Sequence, residues 1–122
     1  MSDVVERLAA QVAVALASED PDRFADLLDP LVTWGAPGDP SPPCQNRQQV
    51  LAWYLRGRAD GRRAEVRSVT ARGDKILIAM TVTSPEAAGQ VVPRWQVLTV
   101  VNGRITDIRG YDDENAAGSA SA

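Results

Sequence analysis

The chain has no histidine, one cysteine and one lysine among its 122 residues. A lone cysteine excludes an internal disulfide, and without histidine a conventional zinc site has too few ligands. No apolar run approaches the ~18 residues that a membrane span needs. The N-terminal MSDVVERL carries early acids and no apolar core, so a secretory signal is not expected. These absences point to a soluble, cytoplasmic chain with no metal or other cofactor. Net charge is −3, which gives no polybasic case for nucleic acid or a membrane surface. Twelve of the thirteen basic residues are arginine, a sign of a GC-rich genome more than of a mechanism.

Apolar residues make up 44% and charged residues 24% of the chain, a normal globular mix. Length and composition predict one domain over residues 1–114. The tail NAAGSASA (115–122) has little to bury and is expected to be disordered.

Val5, Leu8, Ala9, Val12 and Leu16 recur at helical spacing, predicting a helix over 3–18 with Asp3 and Glu6 as its capping pair. Asp20-Pro21 starts a second helix, and Asp29-Pro30 stops it. LVTW (31–34) reads as a short strand. WGAPGDPSPPCQNR (34–47) holds four prolines, two glycines and the only cysteine, so it must be a loop. Asn46 with Gln49 caps a third helix, with Val50, Trp53 and Tyr54 along its main stripe. The period then changes to two. Strands over 64–72 and 75–83 flank Gly73-Asp74, SPEAAGQ (84–90) is a loop, and strands over 91–101 and 104–111 flank Asn102-Gly103. Asn-Gly between two apolar runs is a strong hairpin signal.

Helices followed by an antiparallel meander make an α+β domain. With PDRFADLLDPLVTW (21–34), CQNRQQVLAWY (44–54) and VNGRITDIRGYDDENA (101–116), the order resembles the nuclear transport factor two-like superfamily, in its bacterial SnoaL-like and ketosteroid-isomerase-like branch. The resemblance implies a curved antiparallel sheet wrapped around three N-terminal helices, a cystatin-like cone-shaped α+β barrel. It also implies an apolar cone between sheet and helices.

A two-residue Asn-Gly turn pairs Val101 with Arg104, Thr99 with Thr106, Val97 with Ile108 and Trp95 with Gly110. Strand residues two apart share a face. Trp95, Val97, Thr99, Thr106, Ile108 and Gly110 thus form one set, and the resemblance turns that set into the cone. Ile76, Ile78, Met80 and Val82 are the inward set of the middle strand, and Trp34, Trp53 and Tyr54 enter from the first strand and third helix. The expected ligand pocket is therefore Trp34, Trp53, Tyr54, Ile78, Met80, Trp95, Val97, Thr99, Thr106, Ile108 and Gly110. The plainer alternative is that these residues are simply core. The opposite face is apolar too, and a strand buried on both faces needs a second cover. The resemblance implies a homodimer through that convex face, with Leu77, Leu98, Val100 and Ile105 in the interface.

The acid–base groups that the resemblance would supply are missing. Trp34 and Gly35 stand where isomerase-like members carry a base, Val97 where they carry an acidic donor, and alanine near position 13 where they carry a tyrosine. Asp107 and Arg109 read as a surface ion pair. Asp112, at the pocket mouth, is the one weak candidate for a general acid/base. Cys44 has no histidine to activate it and reads as a packing residue. Arg56, Arg58, Arg62, Arg63 and Arg67, with Arg72 nearby, could grip phosphates. No aromatics interleave with them as single-strand binding would require, so a solvated turn is preferred.

The expected function is binding of a small apolar or aromatic molecule in the cone, by a homodimer with weak or no catalysis. One alternative is a cyclase, isomerase or hydratase using Asp112. Another is a protein-interaction domain whose cone its own side chains fill. The sequence leaves open whether any reaction is catalysed.

Overall fold

A computed structural model describes residues 3–18, 20–85 and 88–122. Helices α1 (Asp3–Ser18) and α2 (Pro21–Ala25) lead into strand β1 (Leu28–Gly35) and helix α3 (Arg47–Ala59). Strands β2 (Arg63–Arg72), β3 (Lys75–Thr83), β4 (Val91–Val101) and β5 (Arg104–Tyr111) follow, and helix α4 (Glu114–Ala120) closes the order. The five strands form one mixed sheet ordered β1-β5-β4-β3-β2. β1 runs parallel to β5, and the other neighbours are antiparallel. With β1 and β2 as free edges the curved sheet does not close, so the fold is α+β and not a full barrel.

The caps follow the sequence. Asp20 accepts from the Asp22 amide at 3.0 Å, and Pro21 takes the first helical position, where it has no amide to lose. Asn46 accepts from the Gln49 amide at 2.8 Å, and Gln49 Oε1 accepts from the Gln45 amide at 2.7 Å. The Asp3 side chain, and with it the expected cap of α1, lies outside the described residues, as do residues 86 and 87 of the β3–β4 loop. α2 ends at Ala25, earlier than expected, and the chain runs through Pro30 as part of β1. Proline is tolerated there because β1 is an edge strand.

Val5, Leu8, Val12 and Ala15 of α1 join Phe24, Leu28, Val32 and Val50 in a core against the sheet. Ile76, Ile78, Leu98, Ile105 and Ile108 supply the sheet side, all at most 1% exposed. Three of the four residues expected on a dimerising convex face, Leu98, Val100 and Ile105, are therefore inside the core. Of that set only Leu77 is left on the other face.

The cause is a β-bulge. The turn is as expected: Asn102 and Gly103 both have positive φ, 53° and 76°, and Val101 pairs with Arg104. Val100 then pairs with Ile105, but Thr99 pairs with Asp107, so Thr106 is an extra residue on β5. Beyond it Leu98 faces Ile108, Gln96 faces Gly110 and Trp95 faces Tyr111. A one-residue slip exchanges the faces of one strand relative to the other. Ile108 and Gly110 stay on the concave side with Gln96 and Leu98, while Trp95, Val97 and Thr99 turn to the convex side.

The tail is not without structure. Asp113 caps α4 by accepting from the Asn115 amide at 2.9 Å. α4 packs across β4 and β5 on the convex side, where Val97 is buried. Ala117 and Ser121 are fully buried, and Ser121 Oγ accepts from Arg72 at 3.1 Å. Small residues let this helix approach the sheet closely, so a segment with few large apolar side chains still finds something to cover.

Candidate functional site

The loop that begins at Trp34 forms the rim of the cone. Trp34 and Cys44 bond through both backbone groups, at 3.0 and 3.3 Å, which brings the loop ends together. A Cβ on Gly35 would come within 2.7 Å of Pro42 Cβ, so only glycine admits that packing. Arg109 Nη1 donates to the carbonyls of Ala36 and Asp39, each at 2.8 Å. Asp107 holds the same guanidinium by Nε at 3.0 Å and accepts from Thr33 Oγ1 at 2.6 Å. Asp107 and Arg109 are thus an ion pair pointing away from the cone, and the pair also clasps the loop.

A cavity of about 250 Å³ opens between α3, α2 and the concave face. Trp34, Trp53, Tyr54, Phe24, Met80, Val82 and Ile108 form its apolar wall, with Leu16 and Val66 behind. Its polar side chains are Gln96, Arg58, Arg62 and Arg63, and Tyr54 adds a hydroxyl to the aromatic wall. Local folding places the arginines. Asp60 caps α3, Gly61 has φ +91°, and two reversed bonds close the helix end: Arg62 N–H to the Gly57 carbonyl at 2.9 Å and Gly61 N–H to the Arg58 carbonyl at 3.0 Å. Only a left-handed residue makes this double bond pattern. Arg63 Nη1 donates to the carbonyls of Arg58 and Arg62 at 3.0 and 2.8 Å, and Arg58 lies over the Tyr54 ring at 6.0 Å.

A wider, shallower concavity of about 690 Å³ shares Trp34, Met80, Val82 and Gln96 with the first. Its outer rim holds Arg94, Trp95, Gly110, Tyr111, Asp112 and Asp113.

Of the expected pocket residues, Trp34, Trp53, Tyr54, Met80 and Ile108 line the inner cavity, and Trp95 and Gly110 border the outer concavity. Ile78 is fully buried in the core. Val97 and Thr99 are on the convex side, and the Thr106 hydroxyl donates to the Thr99 carbonyl at 3.3 Å. Asp112 is exposed at the outer rim. Gln96, which unbroken pairing from the turn puts on the face opposite Trp95 and Val97 and so outside the cone, lines the inner cavity, as do Arg58, Arg62 and Arg63, which the sequence reads as a solvated turn. One signal for Gln96 was present: Ile105 and Ile108 are three apart, and both can face one core only if the strand bulges between them.

Among the described residues no carboxylate lines the inner cavity, and no three His, Cys, Asp or Glu side chains converge as a metal site would need. Burial raises the Cys44 thiol above its ordinary pKa, the opposite of activation.

A SnoaL-like domain model matches residues 6–108. The chain belongs to the SnoaL-like family. Solved structures agree on the fold. Bal32a, from a soil-derived mobile gene cassette, is 23% identical over 98% of both chains with a TM-score of 0.73. A candidate polyketide cyclase from Sinorhizobium meliloti is 22% identical over 86% of this chain and 94% of that one, TM-score 0.67. A candidate ketosteroid isomerase from Kribbella flavida is 18% identical over 92% of this chain and 79% of that one, TM-score 0.71. At such identities the likeness is one of fold. No curated protein matches the chain. With the bulge included, the polar β4 side chain that lines the inner cavity of this SnoaL-like domain is Gln96, an amide.

Proposed function

We propose that this SnoaL-like domain binds a small, largely apolar molecule in the inner cavity and performs no carboxylate-driven proton transfer there. The observation that carries the reading is the lining: aromatic and aliphatic walls around about 250 Å³, with one amide, one tyrosine hydroxyl, three arginines and no carboxylate among the described residues. Proton transfer at a carbon acid needs a base within hydrogen-bond reach of the substrate. Neither glutamine nor arginine serves as one near neutral pH. A concave apolar site with a few converging polar groups is the usual form of a small-molecule site. The open cavity also favours binding over an interaction module whose own side chains fill the cone.

Gln96 is the polar group placed to orient a ligand. It is half-buried, borders both cavities, and its amide offers a donor and an acceptor together. Native mass spectrometry of the purified protein tests the reading. A non-covalent adduct of a few hundred daltons, lost on unfolding, is expected. A bare protein mass combined with no saturable binding of any apolar or aromatic probe would overturn it.

A further inference from the structure

Gln96 is the β4 side chain that lines the inner cavity, and its surroundings leave it unpaired. Its neighbours across the sheet are Ile78 on β3 and Gly110 on β5. One is apolar and the other has no side chain. Leu98, next along the concave face, is fully buried, and Arg94 on the other side borders only the outer concavity. Among the described residues nothing hydrogen-bonds the Gln96 amide, and no polar side-chain atom is buried without a partner. The amide is therefore open to the cavity.

A carboxamide holds an N–H donor and a carbonyl acceptor in one plane. A ligand that meets only one of them leaves the other desolvated without a partner, which offsets the bond gained. The group that answers both at once is a second amide whose N–H and C=O lie on the same side, as they do in a cyclic amide. A pair of hydrogen bonds then closes a flat ring between the two. Trp34 and Tyr54 stand around the same cavity, and their ring faces suit a planar, fused-ring body. A Cβ built on Gly110, opposite Gln96, meets nothing within 4 Å, so an edge-on approach to the amide is unobstructed.

We propose that the inner cavity recognises a neutral, planar aromatic lactam. Its N–H and C=O pair with Gln96 Oε1 and Nε2, and its ring body lies against Trp34 and Tyr54. This rests on the binding function proposed above and adds the ligand's hydrogen-bonding pattern and orientation.

The test compares 2-quinolinone with N-methyl-2-quinolinone, which keeps the carbonyl and loses the N–H, and with naphthalene, which has neither. Calorimetry on the full chain at pH 7 reads the affinities. 2-Quinolinone is expected to bind about tenfold tighter than its N-methyl derivative, the scale of one hydrogen bond and the partner left unpaired without it. In Gln96→Met the two should bind within about twofold of each other, because the thioether answers neither group as an amide does. Gln96→Glu gives a second readout. A carboxylate only accepts, so this variant should prefer 2-aminoquinoline, whose protonated form carries two adjacent donors, over 2-quinolinone. Steric exclusion of the methyl group would instead preserve the preference for 2-quinolinone over its N-methyl derivative in both variants, and that result would overturn the pairing with Gln96. Equal affinities of the two quinolinones for the unaltered chain would overturn it as well and, with naphthalene bound, leave the apolar cavity standing. Failure of all three compounds to bind would overturn both readings.

Discussion

Gln96 of β4 lies directly opposite Gly110 of β5, on the concave side of the sheet. A regular two-residue hairpin would have put Trp95 there. The pairing decides what the cone contains: an amide opposite a position with no side chain, in place of an indole. A Cβ built on Gly110 meets no other atom within 4 Å, so the space beside Gln96 is open. Gly110→Ala should leave thermal stability unchanged. Gly110→Trp should fill the outer concavity and weaken binding of any ligand that reaches it, with the fold retained by circular dichroism. Undiminished binding by the tryptophan variant would count against Gly110 as part of the site.

The rim depends on glycine for space. Gly35→Ala places a methyl group 2.7 Å from Pro42 Cβ, and the stiff proline loop has little freedom to yield. A loss of about 1–3 kcal/mol is expected, the usual range for overpacking. Urea unfolding measures it, and a midpoint equal to the parent's would show that the loop gives way freely.

Arg109 joins Asp107 to the rim loop through three of its bonds. Arg109→Leu removes the guanidinium from Asp107, which keeps Thr33, and takes one donor from the carbonyls of Ala36 and Asp39, the first of which still accepts from the Asp39 amide at 3.2 Å. The cost should be about 1–3 kcal/mol. Amide exchange should quicken in residues 36–43 more than in β3 or β4. Uniform acceleration across the chain would mean that the pair does not act locally.

Removing residues 114–122 uncovers Val97 and separates Ser121 from Arg72. A lower melting temperature with the cone's binding properties retained is the expected result, because α4 packs on the face away from the inner cavity. Unchanged stability would mean that the helix contributes nothing to the fold.

Cys44 gives a chemical prediction with a defined sign. Burial raises its pKa in the folded state, so folding favours the neutral thiol. The associated stability is fully present below the thiol's ordinary pKa and is lost as pH climbs through the raised folded value. Alkylation at pH 8 should be far slower than for free cysteine and should recover on unfolding. A folded-state rate above that of free cysteine would mean an activated thiol.

Much of the fold was legible because each element carries its own local signal. Asp20-Pro21, Asn46 with Gln49, Gly73-Asp74 and Asn102-Gly103 mark caps and turns by side-chain chemistry that needs no tertiary partner. The faces of β4 were less legible. Val97 and Leu98 are adjacent, both apolar and both buried, so alternation does not tell inside from outside. The turn predicts one register, and the bulge at Thr106 changes it five residues from the strand's other end. The spacing of Ile105 and Ile108 was the available clue. The tail misled for a different reason: Ala117 and Ser121 are small, and burial of small residues depends on a close approach that composition does not express. The arginines are visible in the sequence as a cluster, but that Arg58, Arg62 and Arg63 border the cavity depends on where α3 ends and β2 begins against the sheet.

The most direct test of the account follows backbone and side-chain amide resonances of the isotope-labelled protein while a panel of small apolar and aromatic probes, neutral naphthalene derivatives among them, is titrated. Saturable shifts are predicted for the Gln96 side chain and the Trp34 indole, with Val97 and Thr99 on the convex side unmoved. Shifts centred on Val97 and Thr99 with Gln96 unchanged, or no saturable shift at all, would contradict it.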